Sequence, residues 1–141
     1  MRPALLAAVG LLCAVTAACD RPKRPLPGSA NPGLIGHIDR PADGSVVGPD
    51  FLVAGWAIGH EGVARVRIYL DDELMETVPI TGARPDIDAA FPAYAATGSL
   101  HGFGILIDAG TRSGYRTLRL EAIDRRGSAR YVASLNVNID Q

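Results

Sequence analysis

Residues 34–141 predict an all-β fold, a sandwich of about seven strands, and three observations carry that prediction. Apolar and polar residues alternate with period two along several short runs, which places the apolar side chains on one face of a strand. Polar or glycine-bearing punctuation recurs every eight to twelve residues or so, the spacing of short antiparallel strands. No window holds apolar residues at helical spacing for long enough to compete.

Composition bounds the rest. The chain has 141 residues, with 48% hydrophobic side chains and 14 Lys+Arg against 15 Asp+Glu for a formal charge of −1. That is room for about one domain. The balanced charge supplies no basic field of the kind nucleic-acid binding needs, so no nucleic-acid partner is expected. The apolar content excludes a wholly disordered chain.

The first element lies outside the sandwich. Ala4 to Ala18 contains no charged residue and follows Arg2, a positive start and an apolar stretch of roughly 15 residues, where a spanning helix needs about 20. Residues 1–18 therefore read as a secretory signal peptide. At its end stands Val15-Thr16-Ala17-Ala18-Cys19-Asp20, which resembles the lipobox of bacterial lipoproteins. It departs from that pattern at Thr16, where the family prefers an aliphatic residue, so ordinary cleavage after Ala18 is the alternative. The resemblance implies a diacylated Cys19 at the mature N-terminus and a lipid anchor in the membrane. Asp20 resembles the residue that retains Gram-negative lipoproteins at the inner membrane, which implies an exported protein on the periplasmic face. Cysteine usage agrees, because Cys13 and Cys19 are the two cysteines of the chain, and Cys13 leaves with the signal. A mature chain without an internal disulfide enters a compartment that permits them.

Residues 19–33 form the second element. Pro22, Pro25, Pro27 and Pro32 favour extended polyproline II, so the lipidated Cys19 is followed by a tether reaching up to roughly 40 Å at about 3.1 Å per residue. Arg21, Lys23 and Arg24 add at most a weak attraction to anionic headgroups.

The strands follow in order: Leu34–Ile38, Phe51–Ile58, Val63–Leu70, Leu74–Ile80, Phe103–Asp108, Arg116–Ile123 and Arg130–Ile139. In the third, Val66, Ile68 and Leu70 oppose Arg65, Arg67 and Tyr69; in the sixth, Leu118, Leu120 and Ala122 oppose Thr117, Arg119 and Glu121. In the last, Tyr131, Ala133, Leu135, Val137 and Ile139 are expected on one dry face. Asp71-Asp72-Glu73 closes one hairpin and Asp124-Arg125-Arg126-Gly127 another, with Gly127 available for positive φ. Arg65, Arg67, Arg116 and Arg119 on the strands are expected to pair with carboxylates across strands.

These segments resemble the bacterial immunoglobulin-like domains of secreted and cell-surface proteins. The resemblance is carried by Asp39-Arg-Pro41-Ala-Asp-Gly44, by Phe51-Leu-Val-Ala-Gly-Trp-Ala57, by Val66-Arg-Ile-Tyr-Leu-Asp71 and by Leu118-Arg-Leu-Glu-Ala-Ile-Asp124 with Gly127. It covers nearly all of residues 35–140 and implies an immunoglobulin-like β-sandwich. It says little about function, because this scaffold hosts many roles.

One segment exceeds what that fold requires. The stretch between Ile80 and Phe103 is too long for a loop without structure of its own. A short helix at 86–91 is expected within it, capped by Asp86, with Pro85 near its start and Pro92 ending it. Arg84-Pro85-Asp86 followed by Pro92 is similar to a variant of the module in which such a crossover follows a Gly-Trp-Ala strand. If Phe51, Val53, Gly55 and Ala57 face the core, Trp56 faces outward, either as a stacking platform for sugars or covered by Phe91 and Tyr94. The opposite register would bury it in the core. Trp56, Arg84, Asp86, Phe91 and Tyr94 are thus the candidate binding surface.

Catalytic patterns are missing from the sequence. Gly110-Thr-Arg-Ser-Gly114 holds its serine one place late for a nucleophile elbow. His37, His60 and His101 are isolated, each expected at a strand end or turn, and no metal or cofactor is expected. The expectation is a membrane-anchored, non-catalytic module of the cell envelope with a protein or glycan partner. A small secreted hydrolase using Asp and His on the crossover, or a spacer without ligand, are the alternatives.

Overall fold

The protein is described here in a computed structural model over residues 33–141. The expected signal at 1–18, Cys19 and residues 20–32 of the tether lie outside the described residues. In chain order the elements are β1 (Ile35–Arg40), β2 (Ser45–Val47), β3 (Asp50–Ile58), β4 (Val63–Leu70), β5 (Glu73–Pro79), β6 (Gly82–Ala83), α1 (Pro85–Ala90), a 3-10 turn (Pro92–Thr97), β7 (Leu100–Asp108), β8 (Gly114–Asp124) and β9 (Ala129–Ile139). All seven expected strands are present, and β2 and β6 are additional. Three and two residues are too few to show an alternation.

The strands form two sheets, one in the order β1-β3-β7-β6 and the other in the order β2-β9-β8-β4-β5. Pairing is antiparallel except where β2 runs parallel to β9. The chain passes from the first sheet to the second between β1 and β2, through the Asp39-to-Gly44 motif. Gly44 adopts φ +77° there, its N–H donates to the Asn136 carbonyl at 2.7 Å, and the Asp43 carboxylate accepts the Asn136 N–H at 2.8 Å.

The core is what the alternation dictates. Phe51, Val53, Ala57, Phe103 and Ile107 from the first sheet meet Val66, Ile68, Leu70, Leu118, Leu120, Ala122, Val137 and Ile139 from the second, all buried in one cluster. Removing such side chains from water is the main stabilising term. With Phe51 and Val53 inward, Trp56 faces outward, so the first of the two registers is the one adopted.

Asp71 and Asp72 both take positive φ, 48° and 70°, between the paired Leu70 and Glu73. This is a two-residue turn of the I′ type that matches strand twist, and Asp tolerates it. Of the four strand arginines, Arg67 pairs across strands with Glu121 at 3.2 Å as expected, while Arg116 and Arg119 reach the turn carboxylates of Asp71 at 2.9 Å and Asp72 at 2.6 Å.

One expected face is corrected. Tyr131 is exposed and lies edge-on to Tyr69 with ring centroids 5.7 Å apart, on the outer face and not with Val137 and Ile139. The β8–β9 register slips between Leu120, opposite Ala133, and Glu121, opposite Tyr131. The extra residue, Val132, turns toward the core, and a bulge of this kind reverses the alternation beyond it. Glu121 does face outward, yet it is buried, because Arg67 and the Tyr69 hydroxyl both donate to its Oε1, at 3.2 and 3.1 Å.

Candidate functional site

The outer face of the first sheet is built to receive the crossover. Trp56 on β3 stands opposite His37 on β1 and Gly102 on β7, and Gly102 stands opposite Gly82 on β6. The next row holds Ala54 opposite Gly104. Beside the Trp56 ring the sheet thus presents a floor of small residues. Space over that floor is already taken, since a Cβ on Gly102 would come within 3.1 Å of the Arg84 Cγ.

Arg84 reaches across this floor from β6 to the opposite edge of the sheet. Its Nε and Nη2 donate to Asp86 at 2.9 and 2.8 Å, and its Nη1 donates to Asp39 on β1 at 2.7 Å. Bidentate guanidinium–carboxylate pairing of this kind fixes geometry as well as charge. The Asp86 hydrogen bond, joined by Asp39, holds the Arg84 guanidinium above its ordinary pKa. Arg84 in turn holds the Asp86 carboxyl below the usual carboxylate range.

Helix α1 differs from expectation at its start. It begins at Pro85 with Arg84 as N-cap and no side-chain cap, because the Asp86 carboxylate is engaged by Arg84. Pro85 supplies a preset φ at the first helical position. Ile87 is the buried residue of the helix. The helix stops before Pro92 as expected, and the chain continues into the 3-10 turn. The crossover is therefore structured throughout and not a loop with one helical turn.

Phe91 and Tyr94 bring aromatic area over Trp56. The Trp56 and Phe91 centroids are 5.6 Å apart and tilted by 42°, and Phe91 meets Tyr94 edge-on at 6.3 Å. Tyr94 stacks on His60 at 4.6 Å, and His37 lies 6.4 Å from Trp56 on the other side. Trp56, Phe91 and Tyr94 are each half-buried, covered by one another while keeping an exposed side. Of the two outward readings of Trp56, the covered one describes this packing.

The five residues singled out in the sequence thus converge on one face, Trp56, Phe91 and Tyr94 as an aromatic strip and Arg84 with Asp86 as the clamp beside it. Sequence reasoning missed Asp39, Asp88, His37, His60 and His101 as neighbours of that strip. Asp39 carried a signal, as the first residue of the Asp-x-Pro-x-x-Gly motif; the histidines had none. His101 corrects the expectation of isolated histidines, since its Nε2 lies 2.7 Å from Asp88 Oδ1 and its ring is buried. Helix α1 lays Asp88 over the start of β7, thirteen residues before its partner. His37 likewise sits inside β1 and not at its end. Among the described residues no group of three or more His, Cys, Asp or Glu has the arrangement of a metal site.

Beyond Asp39 the strip opens into a cleft of about 320 Å³ where the sheets part, lined by His37, Ile38, Asp39, Asp43, Ser134 and Leu135 among others. Its floor is apolar and its rim carries two carboxylates.

Two sheets in this order, exchanging strands through β2 and bridged by a structured crossover, define an immunoglobulin-like β-sandwich. No protein-family model matches the chain, and no curated protein does. Among solved structures it is similar to the fibronectin(III)-like modules of Clostridium thermocellum CbhA, at 17% identity over 75% of this chain and 93% of that one, with a TM-score of 0.48. It is also similar to LPMO10B from Micromonospora aurantiaca, at 13% identity, 70% of this chain, 54% of that one and a TM-score of 0.47. A Jonesia denitrificans lytic polysaccharide monooxygenase is matched at 9% identity, over 71% of this chain and 60% of that one, with a TM-score of 0.45.

Proposed function

We propose that the chain is an exported lipoprotein, anchored by acylation of Cys19, whose immunoglobulin-like domain serves as a non-catalytic interaction module of the cell envelope. In a Gram-negative envelope, Asp20 supports the periplasmic face of the inner membrane. The observation that carries the reading is the strip formed by Trp56 of β3 with Phe91 and Tyr94 of the crossover, each half-buried, where the crossover is pinned by Arg84 and by the Asp88–His101 pair. Rigid aromatics presented at low entropic cost are what recognition surfaces use, for sugar or protein partners alike. The nearby ionisable groups support binding over hydrolysis, because Arg84, Asp86 and Asp39 engage one another and Asp88 engages His101.

A photo-activated cross-linker placed at Ala89, exposed on α1 beside the strip, is expected to give one defined adduct in cells, protein or glycan. That adduct should be lost in a Trp56→Ala background. No adduct, or one indifferent to Trp56, would leave the domain as a spacer. Mass spectrometry of the membrane fraction is expected to show a diacylated Cys19. A soluble chain with a free Cys19 thiol would defeat the anchor while leaving the domain's role to the cross-linking result.

A further inference from the structure

The sandwich has four strand edges, and three are closed to further pairing by devices natural sheets use. β1 carries a register shift between Ile38 and Arg40, two charges, and Pro41 directly after it. β2 is three residues long and covers only Val137 to Ile139 of β9, and past it that edge is interrupted by Asn136, whose N–H and C=O are taken by Asp43 and Gly44, and by the bulge at Val132. β5 carries Glu73, Glu76 and Pro79, with a register shift against β4. The fourth edge is β7. Its neighbour β6 covers only Leu100 and Gly102, and among the described residues no strand pairs with β7 beyond them on that side. The uncovered run is Gly104-Ile105-Leu106-Ile107-Asp108, uncharged over four residues and in unbroken register with β3.

The direction of its backbone groups follows from one hydrogen bond. The Gly102 carbonyl accepts the Thr81 N–H at 3.1 Å, so Gly102 points its main-chain groups away from β3. In an antiparallel ladder every second residue does the same, so Gly104, Leu106 and Asp108 present their N–H and C=O groups at the open edge. Leu106 is 62% exposed, and the residue opposite it on β3, Leu52, is 43% exposed.

We infer that this edge pairs with the same edge of a second copy, antiparallel about a twofold axis at Leu106, to join two first sheets into one. The sequence is self-complementary in that register. Leu106 faces Leu106 and the two exchange both hydrogen bonds, while each Gly104 faces an Asp108, so every outward-pointing group meets an outward-pointing group. No like charges oppose one another. Ile105 and Ile107 alternate on the inner face, and Leu52 and Leu106 of both copies form one apolar strip on the outer face. The contact is isologous and closed, so it gives a dimer and not a fibre. Its short length places it among weak interfaces. It involves none of the crossover residues and stands or falls independently of the binding strip.

The test uses the full-length chain. Opposed residues in a hydrogen-bonded antiparallel pair have Cα atoms about 5.5 Å apart, within the span of a disulfide. Leu106→Cys is therefore expected to give a disulfide-linked dimer in an oxidising compartment, well above the level in the unsubstituted chain. Tyr115→Cys, at a more exposed site on the other sheet, should stay at that background. Sedimentation equilibrium in detergent should show a concentration-dependent dimer that Leu106→Lys weakens at least about tenfold, with an unchanged circular dichroism spectrum. Cross-linking of Leu106→Cys no greater than that of Tyr115→Cys would overturn the inference. So would a chain that stays monomeric at every concentration, or a position-106 thiol captured by a different protein.

Discussion

Gly55 carries no side chain because none fits. A Cβ there would stand 2.0 Å from the His37 carbonyl oxygen, and a backbone atom held in a ladder cannot step aside. The close approach comes from the irregular β1–β3 register just beyond Ile38, so the glycine of Gly-Trp-Ala belongs to strand pairing and not to the aromatic site. Gly55→Ala is expected to cost about 3 kcal/mol or more, as overpacking against an unyielding neighbour does. Gly104→Ala meets only the Ala54 Cβ at 3.8 Å and should be neutral, or stabilising by about 0.5 kcal/mol through the unfolded state. Urea denaturation midpoints of the two variants measure the contrast. Asp71 offers a second residue-scale test. Partial burial works to raise its carboxyl pKa, but the Thr117 N–H and the Arg116 guanidinium outweigh that and hold it below the usual range. A lowered folded pKa gives stability that is present above the ordinary carboxylate range and lost as pH falls through the depressed value. Asp71→Asn keeps the left-handed turn, which Asn also tolerates, and should flatten the loss of stability on acidification below about pH 4.

At the scale of elements, the crossover is a second small core laid on the outside of a sheet. Trp56 is the single tryptophan of the chain, so its fluorescence reports on that core alone. Phe91→Ala should shift its emission to the red and cost about 1–2 kcal/mol, less than a fully buried Phe because Phe91 is half-exposed. Tyr115→Ala, on the other sheet, should leave the emission where it is. An unmoved spectrum in Phe91→Ala would mean that the Trp56 ring is covered by something else. Much of this element was legible in advance. Pro85 and Pro92 bracket the helix, and the outward Trp56 called for aromatic cover that Phe91 and Tyr94 supply. The clamp was not legible, because Arg84 and Asp39 are 45 residues apart and meet only when β6 and β1 become opposite edges of one sheet. The same limit hid the Tyr131 reversal, since a one-residue bulge leaves the apolar alternation of β9 looking continuous in sequence. Local periodicity reports which face a residue prefers, and long-range register decides which face it gets.

The whole molecule is polarised along its strands. At one pole lie the start of β1, the β3–β4 turn with His60 and Glu61, and the β8–β9 turn with Arg125 and Arg126. At the other lie Asp50, the Asp71–Asp72 turn, Glu73, Asp108 and Asp140, only partly offset by Arg112, Arg116 and Arg119. Residues 33–141 hold 10 arginines and 14 carboxylates, a charge of −4, and the second pole contains most of the excess. On the proposed anchor the tether leads from Cys19 to β1, so the first pole is the one tied to the bilayer. Anionic headgroups attract the tether's Arg21, Lys23 and Arg24 and repel the acidic pole, so covalent exit point and charge favour the same upright orientation. With β8 and β9 of eleven residues each, the poles are about 35 Å apart at roughly 3.3 Å per residue. In vesicles carrying the acylated chain, a donor dye at Arg125→Cys should transfer energy to a headgroup acceptor more efficiently than one at Asp72→Cys. Raising the salt concentration should narrow the difference by screening the repulsion. Equal transfer from both positions in low salt would show a domain that tumbles freely on its tether, and the aromatic strip would then carry no fixed relation to the membrane surface.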